Sequence, residues 1–135
     1  MSRKLSAGPT ILLIEPDNTV RPILTDNLQS WGYRLIVALD EADARQRTRC
    51  QGEPFDLLLI NQFGQPIDRF VAIGRDICRA AGLPSSVLVV VMAERYGAEL
   101  EGQDVQVGEC EYVTYLEDGQ QLKHLLNLLC PNDCS

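Results

Sequence analysis

The sequence is poor in the side chains that most catalytic and cofactor chemistry uses. It has one histidine, one tryptophan and only 6% aromatic residues among 135 positions. The histidine, His124, falls beside a leucine stripe on a predicted helix, and no serine or cysteine is placed to make it the base of a nucleophile. The turn after the first apolar run, Glu15 to Thr19, contains no glycine. This excludes a dinucleotide or P-loop phosphate cradle, which needs close approach of the backbone. The five cysteines, Cys50, Cys78, Cys110, Cys130 and Cys134, include no C-x-x-C pair. An odd, scattered set speaks against a disulfide framework and for a reducing compartment. Cys130 and Cys134 flank Pro131 and read as tail thiols, the alternatives being oxidative coupling or a soft-metal site.

Positive charge is scarce as well. Twelve Lys and Arg against 19 Asp and Glu leave a net charge of -7, which repels nucleic-acid phosphates and anionic lipid head groups. Arg45, Arg47 and Arg49 are two apart and share no helix face, so they make no groove-reading surface. The longest apolar run, Val87 to Ala93, is too short to span a bilayer, and Met1 to Pro9 lacks the apolar stretch of a signal peptide. The expected setting is the cytoplasm, with neither membrane nor nucleic acid as partner of this chain alone.

What the sequence does have is apolar content of 45% against 23% charged residues, enough for one soluble domain. A chain of this length withdraws roughly two thirds of its unfolded surface from water, so no metal or disulfide is needed to hold it. Five apolar runs bounded by turn residues read as strands: Ile11 to Ile14, Tyr33 to Leu39, Phe55 to Ile60, Val87 to Met92 and Glu111 to Leu116. Leu57 to Ile60 and Val87 to Val91 are continuously apolar, the pattern of parallel strands covered on both faces.

Helical spacing fills the gaps. Val20, Leu24, Leu28 and Trp31 share a face after a predicted cap at Asn18, with Gly32 as terminator. Asp40 and Asp43 open a second helix of thin apolar content, mainly Ala42, Ala44 and Cys50. Phe70, Ile73, Ile77 and Ala81 form the stripe of a third, and Leu122, Leu125, Leu126 and Leu129 that of the last. Between Ala93 and Glu109, Gly97, Gly102 and Gly108 interrupt any helix, while Val105 and Val107 alternate like a short extended piece. The expected fold is α/β: a flavodoxin-like, doubly wound, five-stranded parallel sheet in the order 2-1-3-4-5, with a weak or short fourth helix. The domain spans 10–130, with a flexible start over 1–9 and a tail over 131–135.

In such a fold the binding crevice lies beyond the C-terminal ends of the first and third strands. Glu15, Pro16 and Asp17 then face Asn61, Gln62 and Phe63. The runs Ile11-Leu12-Leu13-Ile14-Glu15-Pro16-Asp17, Phe55-Asp56-Leu57-Leu58-Leu59-Ile60-Asn61 and Glu111-Tyr112-Val113-Thr114-Tyr115 together resemble the receiver domain of two-component response regulators. The resemblance covers about Thr10 to Leu129. It implies a signalling domain in which an acidic pair after the first strand binds Mg²⁺ and an Asp ending the third strand accepts a phosphoryl group from a histidine kinase.

Carried over by position, Glu15 matches the first acidic residue and Pro16 the second, with Asp17 one residue late. The acceptor position falls on Asn61, the hydroxyl position on Met92, the lysine on Tyr115 and its following proline on Leu116. Tyr112 matches the aromatic that switches rotamer in many receivers. An amide has no nucleophilicity comparable to a carboxylate, and Mg²⁺ wants hard charged oxygens. The expectation is a pseudo-receiver without the phosphoacceptor, with no metal site beyond weak Mg²⁺ candidates in Glu15 and Asp17. Those two carboxylates equally suit the positive end of the first helix, worth about 0.3–1 kcal/mol. Tyr115 either fills the space of the missing lysine or lies on the strand surface.

Asp56 begins the third strand, roughly 16 Å from Asn61, and cannot substitute for it. Asp68 either approaches the crevice mouth or caps the third helix. The leading functional expectation is a phosphorylation-independent regulatory module, not an enzyme. It binds a protein partner or a second copy through its last strand and last helix, the face the resemblance implies. The alternative is a switch that still takes a metal, small ligand or phosphoryl group in the altered crevice.

Overall fold

The computed structural model describes residues 8–131. The chain runs β1 (Thr10–Ile14), α1 (Val20–Ser30), β2 (Arg34–Ala38), α2 (Glu41–Gln51), β3 (Leu57–Asn61), α3 (Ile67–Ala80), β4 (Leu88–Met92), β5 (Asp104–Gln106), β6 (Glu111–Thr114) and α4 (Gly119–Leu129). The strands form one sheet in the order β2-β1-β3-β4-β6-β5. All neighbours pair in parallel except β5 and β6, which are antiparallel.

The parallel part reproduces the expected order, β6 taking the place of the fifth strand. The rest is a correction: the sheet has six strands, and among the described residues no helix lies between β4 and β6. The physical reason is local. Gly102 adopts a φ of 89°, its N–H donates to Tyr115 O at 2.7 Å, and Tyr115 N–H returns to Gln103 O at 2.8 Å. Val107 and Gly108 N–H both reach Glu111 O, which closes a tight turn into β6. A segment without an apolar stripe satisfies its backbone by zipping onto β6 instead of coiling.

Side chains alternate between two apolar layers. Leu12, Ile14, Leu58, Ile60, Val89, Val91 and Val113 face α2 and α3, where they meet Ala44, Phe70, Ile73 and Ile77. Ile11, Leu13, Leu57, Leu59, Val90 and Met92 face α1 and α4, against Leu28, Leu122, Leu125 and Leu126. Both faces of β1, β3 and β4 are therefore dry, as their unbroken apolar runs require. α3 lies close on the sheet because Gly74 has no side chain: a Cβ there would stand 2.6 Å from Val89 Cγ1.

Helix ends follow the sequence with one change. Asp40 caps α2 by accepting from Asp43 N–H at 2.8 Å, and Gly52 ends that helix at φ 65°. At α1 the capping acceptor is Asp17, whose Oδ1 takes the N–H groups of Thr19 and Val20 at 2.7 and 3.0 Å. Asn18, the expected cap, instead accepts from the Arg21 guanidinium.

Pro9 O accepts from Arg34 N–H at 3.0 Å, tying the start of β1 to β2. Residues 1–7 of the start expected to be flexible, and Cys134, lie outside the described residues. No described helix is long and apolar enough to cross a membrane.

Candidate functional site

The parallel register brings Ile14 and Ile60 side by side at the C-terminal ends of β1 and β3. The next residues on each strand, Glu15 and Asn61, therefore meet although 46 positions separate them. Asn61 Nδ2 donates to Glu15 Oε1 at 2.8 Å, and Asp17 N–H donates to Glu15 Oε2 at 3.2 Å. Glu15 is only 1% exposed, a buried carboxyl on a strand end. Burial holds it above the ordinary carboxylate range, against the opposing pull of the Asn61 hydrogen bond. Asp17 is exposed, and the N–H groups of Val20 and Thr19 hold its carboxyl below the ordinary range.

A cation already serves this corner. Arg21, in the first turn of α1, donates from Nη1 to Glu15 O at 2.8 Å, and its charge favours the ionised forms of both Glu15 and Asp17. The residues present do not fit a divalent cation. Glu15 spends its two oxygens on an amide and a backbone N–H, Pro16 offers no ligand side chain, and Asp17 Oδ1 is occupied by capping α1. Among the described residues no group of three acidic, histidine or cysteine side chains could hold a metal ion.

Met92 ends β4 opposite Asn61 in the β3–β4 register and is buried on the α1/α4 side. Its neighbour on β6 is Thr114, fully buried. Thr114 Oγ1 donates to Asp104 Oδ1 at 2.7 Å and accepts from Gln121 Nε2 at 3.3 Å, so this hydroxyl is tied to β5 and α4. Tyr112 packs with the α1/α4 layer and Tyr115 with the α2/α3 layer. The Tyr115 ring meets Tyr96 edge-on, centroids 5.4 Å apart and planes 77° apart, and Tyr96 donates its hydroxyl to Leu116 O.

Of the remaining polar candidates, Asp56 accepts from Thr10 N–H at the opposite end of the sheet. Asp68 lies exposed in the first turn of α3, and His124 is exposed on α4. Cys130 is buried and its thiol is pushed up to about 11 by burial, while its carbonyl accepts from the Tyr33 hydroxyl. Arg21, Thr114 and Gln121 did not stand out in the sequence. Arg21 alone carried a signal, a cation in the first turn of the helix that follows Glu15.

Beside the Glu15–Asn61 pair lies a pocket of about 330 Å³, at the switch point where doubly wound sheets bind ligands. An open α/β sheet with order 2-1-3-4 and a crevice at its switch point is the flavodoxin-like arrangement, which receiver domains share. Solved receivers superpose on most of the chain. The TrrA response regulator of Thermotoga maritima, solved with Mg²⁺-BeF, matches at TM-score 0.62 and 16% identity, covering 90% of this chain and 98% of that one. CheY4 of Vibrio cholerae gives 0.62 at 15% identity over 90% and 97%. The receiver domain of the hybrid histidine kinase CckA gives 0.60 at 19% over 89% and 97%. No family model and no curated protein sequence matches. The likeness is one of fold.

Proposed function

We propose that this domain is a receiver-type signalling module of the two-component kind that works without phosphorylation. It is a regulatory, protein-binding unit of the cytoplasm and not an enzyme. The observation that carries this reading is the hydrogen bond between Glu15 and Asn61, with Arg21 anchored beside it. A carboxylate nucleophile and a Mg²⁺ site are the two requirements of acyl-phosphate formation. At this corner an amide stands where the receiver resemblance puts the nucleophile, and an arginine supplies the positive charge.

The partner face in this reading is formed by β6, its antiparallel neighbour β5, and α4. Val107 and Leu128 are exposed there, 50% and 77% respectively, and a protein partner or a second copy would cover them. A second reading is favoured by the pocket: the crevice still takes a ligand, though neither a metal nor a phosphoryl group.

The test is the intact mass of the protein after incubation with Mg²⁺ and acetyl phosphate, beside an ordinary receiver. The expected result is no added mass here and one phosphoryl group on the control. A stoichiometric, base-labile adduct on this chain would overturn the reading and place the acceptor on another carboxylate.

A further inference from the structure

β5 is the outer strand of the sheet, and no strand covers its far side. Tyr115 N–H bonds to Gln103 O and Val107 N–H to Glu111 O, so 103/115 and 107/111 are hydrogen-bonded pairs of the β5–β6 ladder. Such pairs recur at every second residue of an antiparallel ladder, which makes Val105 and Val113 the pair between them. The N–H and C=O groups of Asp104 and Gln106 therefore point away from β6, and both residues are exposed. Four backbone groups in line on an open edge are a template for one more strand. Its two faces differ. Val105 stands beside Val113 on the α3 side, followed by Val107, which is 50% exposed. Asp104 stands beside Thr114 on the α4 side, followed by Gln106.

Charge decides what can lie there. Between Ala93 and Asp118 the sequence holds eight carboxylates and one cation, Arg95, while the rest of the chain carries eleven charges of each sign. The net charge of -7 is thus concentrated in β5, β6 and their loops. Local partners offset only part of it. Arg75 of α3 pairs with Glu111, and Arg79 is taken by Asp76. Setting Arg95, Lys123 of α4 and the half charge at the α4 N-terminus against the other seven carboxylates leaves about -4.5. Glu101, Asp104, Glu109 and Glu117 make no ion pair among the described residues. A second copy set edge to edge would bring these carboxylates against themselves, whereas a basic segment is drawn in.

We propose that the edge of β5 takes up an extended segment of a partner protein in which Lys or Arg alternates with β-branched residues. Its backbone bonds to Asp104 and Gln106, and its cations lie beside Asp104 on the α4 side. Its apolar side chains continue the row of Val105 and Val107 on the α3 side. The proposal rests on the protein-binding part of the reading above and not on the loss of phosphorylation. The acetyl phosphate test and the test below therefore fail separately.

Amide NMR and hydrogen exchange of the protein titrated with the blocked peptide Lys-Val-Lys-Val-Lys-Val, at about 50 mM salt, test this. The controls are the same peptide with every backbone amide N-methylated, which keeps charge and side chains but has no N–H to donate, and Glu-Val-Glu-Val-Glu-Val. The first peptide should give saturable shifts of the Asp104 and Gln106 amides and slow their exchange by about tenfold or more, and the controls should do neither. Raising the salt to about 500 mM should weaken it several-fold. Gln106→Pro removes one outward N–H at an edge position that tolerates proline, and Glu101→Gln with Glu109→Gln removes two exposed charges. Both variants should melt like the parent, yet each should weaken the peptide by about threefold or more. Three outcomes overturn the proposal: no saturation up to the solubility of the peptide, equal responses to the peptide and either control, or shifts confined to other amides. Protection of the Asp104 and Gln106 amides that grows with protein concentration in the absence of peptide would also overturn it and give the edge to a second copy.

Discussion

Asn61→Asp is the sharpest perturbation of the crevice, because it reverses the sign of one interaction and leaves the shape nearly unchanged. The Nδ2 that donates to Glu15 at 2.8 Å becomes an oxygen facing a carboxyl that is 1% exposed. A hydrogen bond to an ionised group contributes about 1.5–3 kcal/mol, and its loss is joined by repulsion between like charges. At neutral pH the variant must open the corner or hold a proton between the two carboxyls. A loss of about 2 kcal/mol lowers the melting temperature of a chain this size by roughly 6–10 °C.

The pH dependence fixes the cause. Glu15 already titrates above its ordinary value, so the folded state binds more protons than the unfolded one between those two values. Stability from this group falls as pH rises through that window. The substitution removes the donor that held the Glu15 value down and adds a charge that raises it further, which widens the window upward. Thermal melts of the parent and Asn61→Asp at pH 7.5 and pH 5 read this directly. The deficit should be large at pH 7.5 and less than half as large at pH 5, where the pair shares a proton. Asn61→Ala, which removes the donor and adds no charge, should show a smaller deficit with a smaller change, in the same direction, between the two. Equal stability of Asn61→Asp and parent at pH 7.5, or the same deficit at both pH values, refutes the reasoning.

Gly74→Ala should destabilise despite its better helix propensity, a gain of about 1 kcal/mol, because the new Cβ meets Val89 Cγ1 at 2.6 Å and Leu58 Cδ2 at 3.3 Å. Overpacking costs about 1–3 kcal/mol, so urea unfolding should show a net loss that Val89→Ala in the same chain reduces. A double-mutant cycle of Tyr96→Leu and Tyr115→Leu should give a coupling of about 0.5–1.5 kcal/mol from the edge-on rings, and a value near zero would mean that they merely share a neighbourhood. Asp104→Ala removes the acceptor of both Thr114 Oγ1 and Gln121 Nε2. Amide exchange in β5 should then speed up by roughly tenfold, about 1.4 kcal/mol, while α3 is unaffected.

The legible part of this fold was the part that one strand or one helix carries by itself. Leu57 to Ile60 and Val87 to Val91 announce buried parallel strands because two dry faces leave no room for polar alternation. Asp40 and Asp43 announce the start of α2 because a capping bond spans only three residues. β5 was legible as the short extended piece that Val105 and Val107 suggest, but not as a partner in the sheet, because the bonds that hold it come from Glu111 and Thr114 of β6 and from Tyr115 just after it. The same limit applies at α1, where Asp17 and Asn18 are both good caps and the choice is made by Arg21, which takes Asn18. At the crevice, strand ends alone put Glu15 opposite Asn61, but the Arg21 bond and the pocket depend on where α1, α2 and α3 lie.

Among the described residues, two side-chain hydrogen-bond networks at the sheet end share no residue. One links Asn61, Glu15, Asp17, Asn18 and Arg21 across β3, β1 and α1. The other links Thr114, Asp104 and Gln121 across β6, β5 and α4. Between them, at the end of β4, stands Met92, an unbranched side chain that adapts to its surroundings and accepts hydrogen bonds only weakly. Coupling between distant sites needs a contiguous element with two discrete arrangements, and a thioether in a packed layer is a poor one. Asn61→Asp and Asp104→Ala should therefore act independently. Their stability losses in the double variant should add within about 0.5 kcal/mol, as for separated sites with no shared partner. Replacing Met92→Thr should break that independence, by giving the end of β4 a hydroxyl between Asn61 on β3 and Thr114 on β6. A coupling above about 1 kcal/mol in the unmodified background would show that the two networks already communicate through packing, and would make Met92 part of a switch instead of a gap in one.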